Sequence, residues 1–351
     1  MADLSRIDTS DGREETRRAV QEQLGALQEL LDRPDVIEVV INRPGEVWVE
    51  TRDGWDTITN ANMTFVRLER LAKATAAYAA QAFRDERPIL SATLPSGARI
   101  QIVGPPATEA GVISVTIRKP SVRTWSLGEL QSAGLFDGPK RQTNKDDTTS
   151  DLSTLLKSGD TKAFLAAAVK EKNNILISGA TGSGKTTLSK ALIAEIPDTE
   201  RIITIEDTAE LVVPQPNRVA LFYPKDGPKD ATGRARIGPK DLLESALRMR
   251  PDRILLQELR DGSAFYYLRN VNSGHPGSIT TVHANSCALA VEQLTLLVKE
   301  SDGGRDLTRT DIRELVNATV DVIIQCQRIG GAFKVVDVAL TGTTPNDKAP
   351  N

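Results

Sequence analysis

Hydrophobic and polar positions divide the chain into two differently patterned parts. In residues 15–31 the apolar residues Val20, Leu24, Leu27 and Leu31 recur at three- and four-residue intervals, which predicts a helix with one core-facing stripe. The polar residues 1–13 before it are expected to be disordered. Residues 36–42 and 46–51 are rich in Val, Ile and Trp and flank Arg43-Pro44-Gly45, which predicts two strands around a tight turn. Residues 66–83 are Ala-rich and predict a second helix, and residues 89–94, 99–103 and 112–117 predict three more strands. Residues 1–119 therefore read as a small α+β domain with a mostly antiparallel sheet.

A change of character begins at Lys119-Pro120. Residues 127–135 suit a short helix, but residues 137–150 (DGPKRQTNKDDTTS) hold no apolar side chain, so residues 120–150 are expected to act as a linker. Asp160 is placed to cap a helix reaching Lys172. Beyond it the apolar runs become continuous. Residues 175–177, 201–206, 219–223, 253–258, 278–283 and 320–325 all read as strands, and residues 332–340 close a hairpin across Gly330-Gly331. Runs of this kind suit strands buried on both faces, so residues 151–342 read as an α/β domain with a largely parallel sheet. Residues 343–351 are expected to be a disordered tail.

The run Ile175-Leu176-Ile177 leads into Gly179-Ala180-Thr181-Gly182-Ser183-Gly184-Lys185-Thr186, a G-x-x-x-x-G-K-[ST] phosphate loop between a strand and a helix. Glycines let successive N–H groups turn inward on an anion, and the following helix points its positive end at the same place. Lys185 is expected to reach the β- and γ-phosphates of a nucleotide, packing against nothing when the site is empty. Thr186 is expected to put its hydroxyl on Mg²⁺.

Composition narrows the function without deciding it. The chain has 351 residues, enough for two domains, with 39% hydrophobic and 26% charged residues. A net charge of −3 gives no support for sequence-specific nucleic-acid binding. Cys287 and Cys326 are the only cysteines, too few for a disulfide framework or a tetracysteine zinc site, and they fit a reducing compartment. The first fifteen residues lack the apolar stretch of a signal peptide, and no apolar run approaches the length of a membrane span, so membrane contact is expected to be peripheral.

Four further clusters could carry chemistry. Glu206-Asp207-Thr208-Ala209-Glu210 follows a strand and reads either as a solvated turn or as carboxylates that orient water or Mg²⁺. Glu258 ends the apolar run Ile254-Leu255-Leu256-Gln257. This is the form of the second nucleotide motif, whose acid binds Mg²⁺ through water or polarises the attacking water. Both histidines of the chain, His275 and His283, fall in one Gly- and Thr-rich stretch, which suggests a sensor beside the γ-phosphate rather than a metal site. Arg234, Arg236, Arg248, Arg250 and Arg253 read as a solvated face or as a source of the arginine that ring ATPases bring to transition-state charge.

GATGSGKTT, TIEDTAEL, RMRPDRILLQELRDG and SGHPGSITTVHAN resemble, in order, the Walker A, acidic, Walker B and histidine boxes of the type II/type IV secretion ATPases. With LPSGARIQIVGPP and SVTIRKPS in the first domain, the chain looks most like the VirB-eleven type of type IV secretion and conjugation machines, over residues 34–338. The resemblance implies a RecA-like ATPase domain and a homohexameric double ring. It implies ATP and Mg²⁺ as ligands, and partner subunits at the cytoplasmic face of the inner membrane. It implies phosphate-loop roles for Thr181, Gly182, Ser183, Gly184, Lys185, Thr186 and Thr187. Catalytic roles fall to Lys185, Glu206, Glu258 and His283, with Mg²⁺ on Thr186 and, through water, on Glu258. Arg99 and Arg118 match first-domain arginines that reach the nucleotide. Many relatives carry a small residue before the Walker B acid, where this chain has Gln257. The tetracysteine element of type II secretion ATPases is absent. A pilus or type II assembly ATPase and a non-hydrolysing nucleotide-dependent scaffold are the alternatives.

Overall fold

In a computed structural model of the chain, which describes residues 9–51, 53–120, 124–143, 151–223, 237–271 and 274–341, the alternating segments of the N-terminal part pair into one sheet. Its elements are α1 (Thr9–Leu24), a 3-10 turn, α2 (Gln28–Asp32), β1 (Glu38–Arg43), β2 (Glu46–Thr51), β3 (Gly54–Thr59), α3 (Phe65–Tyr78), β4 (Ile89–Thr93), β5 (Arg99–Val103) and β6 (Ser114–Arg118). The sheet order is β3-β2-β1-β6-β5-β4, and each of these pairings is antiparallel. Val39, Ile41, Val47, Val49, Ile100, Ile102, Val115 and Ile117 point to one face and bury against Val20, Leu24 and Leu27 and against Leu68, Leu71 and Ala72 of α3. Each such aliphatic side chain contributes about 1.5–3 kcal/mol of burial. The Thr64 hydroxyl caps α3 by accepting from the Arg67 amide. Two features differ from expectation. α1 starts at Thr9, earlier than its apolar stripe, and β3 was not foreseen because its residues are mostly exposed and carry little apolar signal.

The second compact unit comprises Arg123–Pro224 and Ile237–Asn351, the first lying within Met1–Val122. It holds α4 (Leu127–Ser132), β7 (Lys140–Thr143), α5 (Asp151–Ser158), α6 (Thr161–Lys170), β8 (Ile175–Gly179), α7 (Lys185–Ile193), β9 (Ile202–Glu206), β10 (Arg218–Phe222), α8 (Pro239–Ala246), β11 (Arg253–Leu256), α9 (Ser263–Val271), β12 (Ile279–Val282), α10 (Cys287–Lys299), α11 (Arg309–Thr319), β13 (Val322–Ile329) and β14 (Ala332–Leu340). Strands β10-β9-β11 form one parallel sheet, and β12-β8-β13-β14-β7 form a second, in which the β13–β14 hairpin is antiparallel and the other pairings are parallel. The two sheets meet at a bridge between Glu258 and Thr281. Around it, the Leu259 amide donates to Thr281 O, the Thr281 hydroxyl to Gln257 O, and the Ser278 hydroxyl to Ile254 O.

β8 shows why the continuous runs form buried strands. Ile175 and Ile177 enter the core on one face, with Leu165, Val169, Leu188 and Leu192, while Leu176 enters the core on the other, with Ile203, Leu256 and Leu294. Buried Asn174 ties three strand starts together. Its Oδ1 accepts from the Gly277 and Ser278 amides, its Nδ2 donates to Thr319 O, and its own amide donates to Asp321 Oδ2. Asp160 caps α6 through the Ala163 amide, as expected.

The stretch expected to be a linker is partly built into this unit. Leu127, Leu130, Leu135 and Phe136 enter the core, and β7 pairs with β14 at the sheet edge. An edge strand needs backbone hydrogen bonds rather than apolar side chains, so its polar sequence concealed it. Residues 144–150, the expected tail at 343–351 and residues 1–8 lie outside the described residues.

Candidate active site

The loop after β8 turns on three glycines with positive φ: Gly179 (156°), Gly182 (71°) and Gly184 (92°), the last at the N-cap of α7. A Cβ on Gly179 would lie 2.5 Å from Cys326 O and would also meet the Ser183 hydroxyl, so only glycine fits there. Thr181 and Gly182 are exposed, Thr186 and Thr187 are half-buried, and Ser183 and Lys185 are buried. The Ser183 hydroxyl has no hydrogen-bond partner among the described residues although it is buried. The first N–H groups of α7 have no intrahelical acceptor by construction. A cradle of glycines, an unsatisfied hydroxyl and a helix N-terminus fit the phosphates of a nucleotide.

Lys185 does not stand apart from the protein. Its Nζ donates to Gly179 O at 2.6 Å and to Ala180 O at 2.9 Å, and it lies 3.4 Å from His283 Nδ1. The expectation that it packs against nothing is corrected by these contacts. An ammonium withdrawn from water bonds to the nearest carbonyls, which here belong to the loop itself. His283 follows β12, and its Nε2 lies 2.7 Å from Glu258 Oε1. Burial, and then the neighbouring Lys185 charge, lower the His283 pKa. The ring therefore lies between an ammonium on its Nδ1 side and a carboxylate on its Nε2 side.

Glu258 follows β11, and its second oxygen accepts from Arg260, whose other guanidinium nitrogen donates to Asp207 Oδ2 at 2.7 Å. Burial alone would lower the Arg260 pKa, but the Glu258 hydrogen bond and charge raise it overall, so the arginine is a permanent cation. Lys185, His283, Glu258, Arg260 and Asp207 thus form one continuous run of polar side chains. Arg260 was missed by sequence reasoning. Its position two residues after the acid was its signal, and nothing local announces that it bridges to Asp207.

Glu206 is nearly fully buried, and both its oxygens are engaged within its own segment. One accepts from the Thr204 hydroxyl, the other from the Glu210 and Leu211 amides. Burial raises its pKa. Gln257 donates to Glu210 Oε2 at 2.7 Å, which gives the large residue at this position a place in the acidic box. Of the arginine run, Arg253 is fully buried in a two-pronged ion pair with Glu200, and Arg248 bonds Glu244 O. Arg234 and Arg236 lie outside the described residues. His275 lies before β12 and His283 after it, at opposite ends of the strand. In the first unit, Arg99 and Arg118 are brought together as direct neighbours across β5 and β6.

Residues 20–332 match the family model described as type II/IV secretion system protein. The chain belongs to that family. It is 55% identical over 336 residues to the type IV secretion system protein VirB11 of Bartonella quintana (strain Toulouse), covering 92% of this chain and 93% of that protein. It is 45% identical over 309 residues to VirB11 of Brucella suis biovar 1 (strain 1330), covering 87% and 85%. The crystal structure of the Brucella suis VirB11 ATPase in complex with sulphate superposes with a TM-score of 0.50 at 40% identity, covering 94% of this chain and 97% of that one. The pilus retraction motor PilT with bound ADP shares the fold at 16% identity, with a TM-score of 0.55 over 92% of this chain and 83% of that one. The VirB11 relatives are type IV secretion proteins, one of them a solved ATPase, and this chain is an ATPase of that family.

Proposed function

We propose that this secretion ATPase binds ATP on the loop after β8 and hydrolyses it to power substrate translocation or pilus assembly in a type IV secretion system. The observation that carries the reading is the run from Lys185 through His283 to Glu258, at 3.4 Å and 2.7 Å, at the carboxyl ends of adjacent strands. The loop amides and Lys185 hold the phosphates. Glu258 takes a proton from water as its oxygen attacks the γ-phosphorus, and the bond to the β–γ bridging oxygen breaks to release ADP. His283, touching both the lysine and the acid, reports the γ-phosphate from one to the other. Glu206 acts by holding the acidic loop in shape. Mg²⁺, held by Thr186 and through water by Glu258, would neutralise charge on the β- and γ-phosphate oxygens.

The resemblance of the four boxes supports a RecA-like arrangement of the second unit and a homohexameric ring. It also supports Arg99 and Arg118 as further cations for the nucleotide, and partner subunits at the cytoplasmic face of the inner membrane. Among the described residues no helix is long and apolar enough to cross a membrane. Turnover of Mg²⁺-ATP by the purified chain tests the proposal directly. Binding without turnover would favour the scaffold reading, and light scattering with an ATP analogue that shows only monomer would remove the ring.

A further inference from the structure

β13 pairs with β8 as far as Cys326, which lies opposite Gly179, and then continues for three residues beside the phosphate loop. Gly330 and Gly331, with φ of 56° and 84°, turn the chain back in the geometry of a tight hairpin. The first large side chain of the returning strand is Phe333. Its ring lies over the start of α7, where a Cβ on Gly184 would meet Cβ, Cγ and Cδ1 of Phe333 at 3.2–3.4 Å. Arg328 is its direct cross-strand partner. The Arg328 guanidinium lies 5.9 Å from the ring centroid, and its Nε donates to Gly331 O. Phe333 is still 43% exposed.

Phosphates seated on the loop leave the nucleoside at one end of the phosphate chain, and in sheets of this kind ligands lie beyond the carboxyl ends of the strands. The hairpin tip lies beyond the carboxyl end of β8 and carries a partly exposed aromatic ring beside a planar cation. We propose that Phe333, backed by Arg328, is the stacking platform for the base of the bound nucleotide. The proposal rests on the phosphate-loop reading above. Because every base has a π-face, the platform adds affinity without reading base identity.

The test is calorimetric titration of the full chain with Mg²⁺-ADP and, separately, with Mg²⁺-pyrophosphate, which lacks a base. Phe333→Ala should weaken ADP binding about tenfold while leaving pyrophosphate affinity within about twofold, since stacking is worth roughly 1–3 kcal/mol per base. Phe333→Leu keeps an apolar cover over Gly184 and should show the same selective loss, and Phe333→Trp should keep ADP affinity. Equal weakening of ADP and pyrophosphate by Phe333→Leu would make the ring a packing element of the loop and overturn the proposal, as would unchanged affinity for both. If the unaltered chain binds neither ligand, the phosphate-loop reading itself fails.

Discussion

Arg99 on β5 stands directly opposite Arg118 on β6, and Arg118 stands opposite Glu38 on β1. Like charges at directly opposed positions weaken a sheet, and an anion bound between them would relieve that repulsion. Burial raises the Glu38 pKa, and Arg118 pulls it back down, so the arginine faces a carboxylate on one side and Arg99 on the other. Arg99→Gln and Arg118→Gln, which keep most of each stem, should leave the melting temperature unchanged or higher while lowering ATP turnover by about tenfold or more. Melting curves run beside steady-state rates separate the roles. A melting temperature that falls in step with the rate would make the pair architectural.

Lys185→Met should abolish turnover and also cost some stability. The substitution keeps the aliphatic stem but deletes donors to Gly179 O and Ala180 O, each worth about 1 kcal/mol. Thermal unfolding and ATPase assays on the same preparation check both parts. A folded variant that still hydrolyses ATP removes the lysine from the mechanism.

Glu258→Gln should bind ATP and turn it over at least about tenfold more slowly, a rise of roughly 1.4 kcal/mol in the barrier. The amide loses the charge that Arg260 pairs with, leaving the arginine to Asp207, at a stability cost of about 1 kcal/mol or less. Single-turnover kinetics separate binding from chemistry. Normal turnover with weakened binding would make the acid a ligand-holding residue.

His283 should leave a mark on stability at mildly acid pH. Its folded pKa lies below the ordinary 6.5, so between the two values the unfolded chain binds the extra proton, and stability falls as pH drops through that window. Glu206 has the opposite sign. Its raised pKa makes its contribution fall as pH rises above 4.5, and this is shared by wild type and His283→Gln. The wild-type melting temperature should therefore drop further than that of His283→Gln between about pH 7.5 and about pH 5.5. Parallel curves would show that the ring is not held neutral.

What could be read before the structure was what is local in the chain. The loop, the strand before it and the helix after it are contiguous, and Glu258 announces itself by ending an apolar run. Burial on both faces leaves continuous Ile, Leu and Val, as β8 and β11 show. β7 stayed hidden because an edge strand is held by backbone bonds that side-chain polarity does not report. The line from Lys185 to Asp207 stayed hidden for another reason. Its members come from the loop, β9, β11 and β12, and their order in space follows from sheet pairing rather than from spacing in sequence. Glu206 reads as a free strand-end carboxylate until its own loop amides are seen to claim it.

The join between the two sheets has a mechanical meaning. Glu258, just past β11, bridges to Thr281 of β12, and hydroxyls of Ser278 and Thr281 stitch the seam around it. Glu258, proposed above as the catalytic acid, therefore sits at the join itself, with His283 and the phosphate loop carried by the five-stranded sheet. The reach of that carboxylate is thus set by the pairing of the two sheets as well as by its own strand.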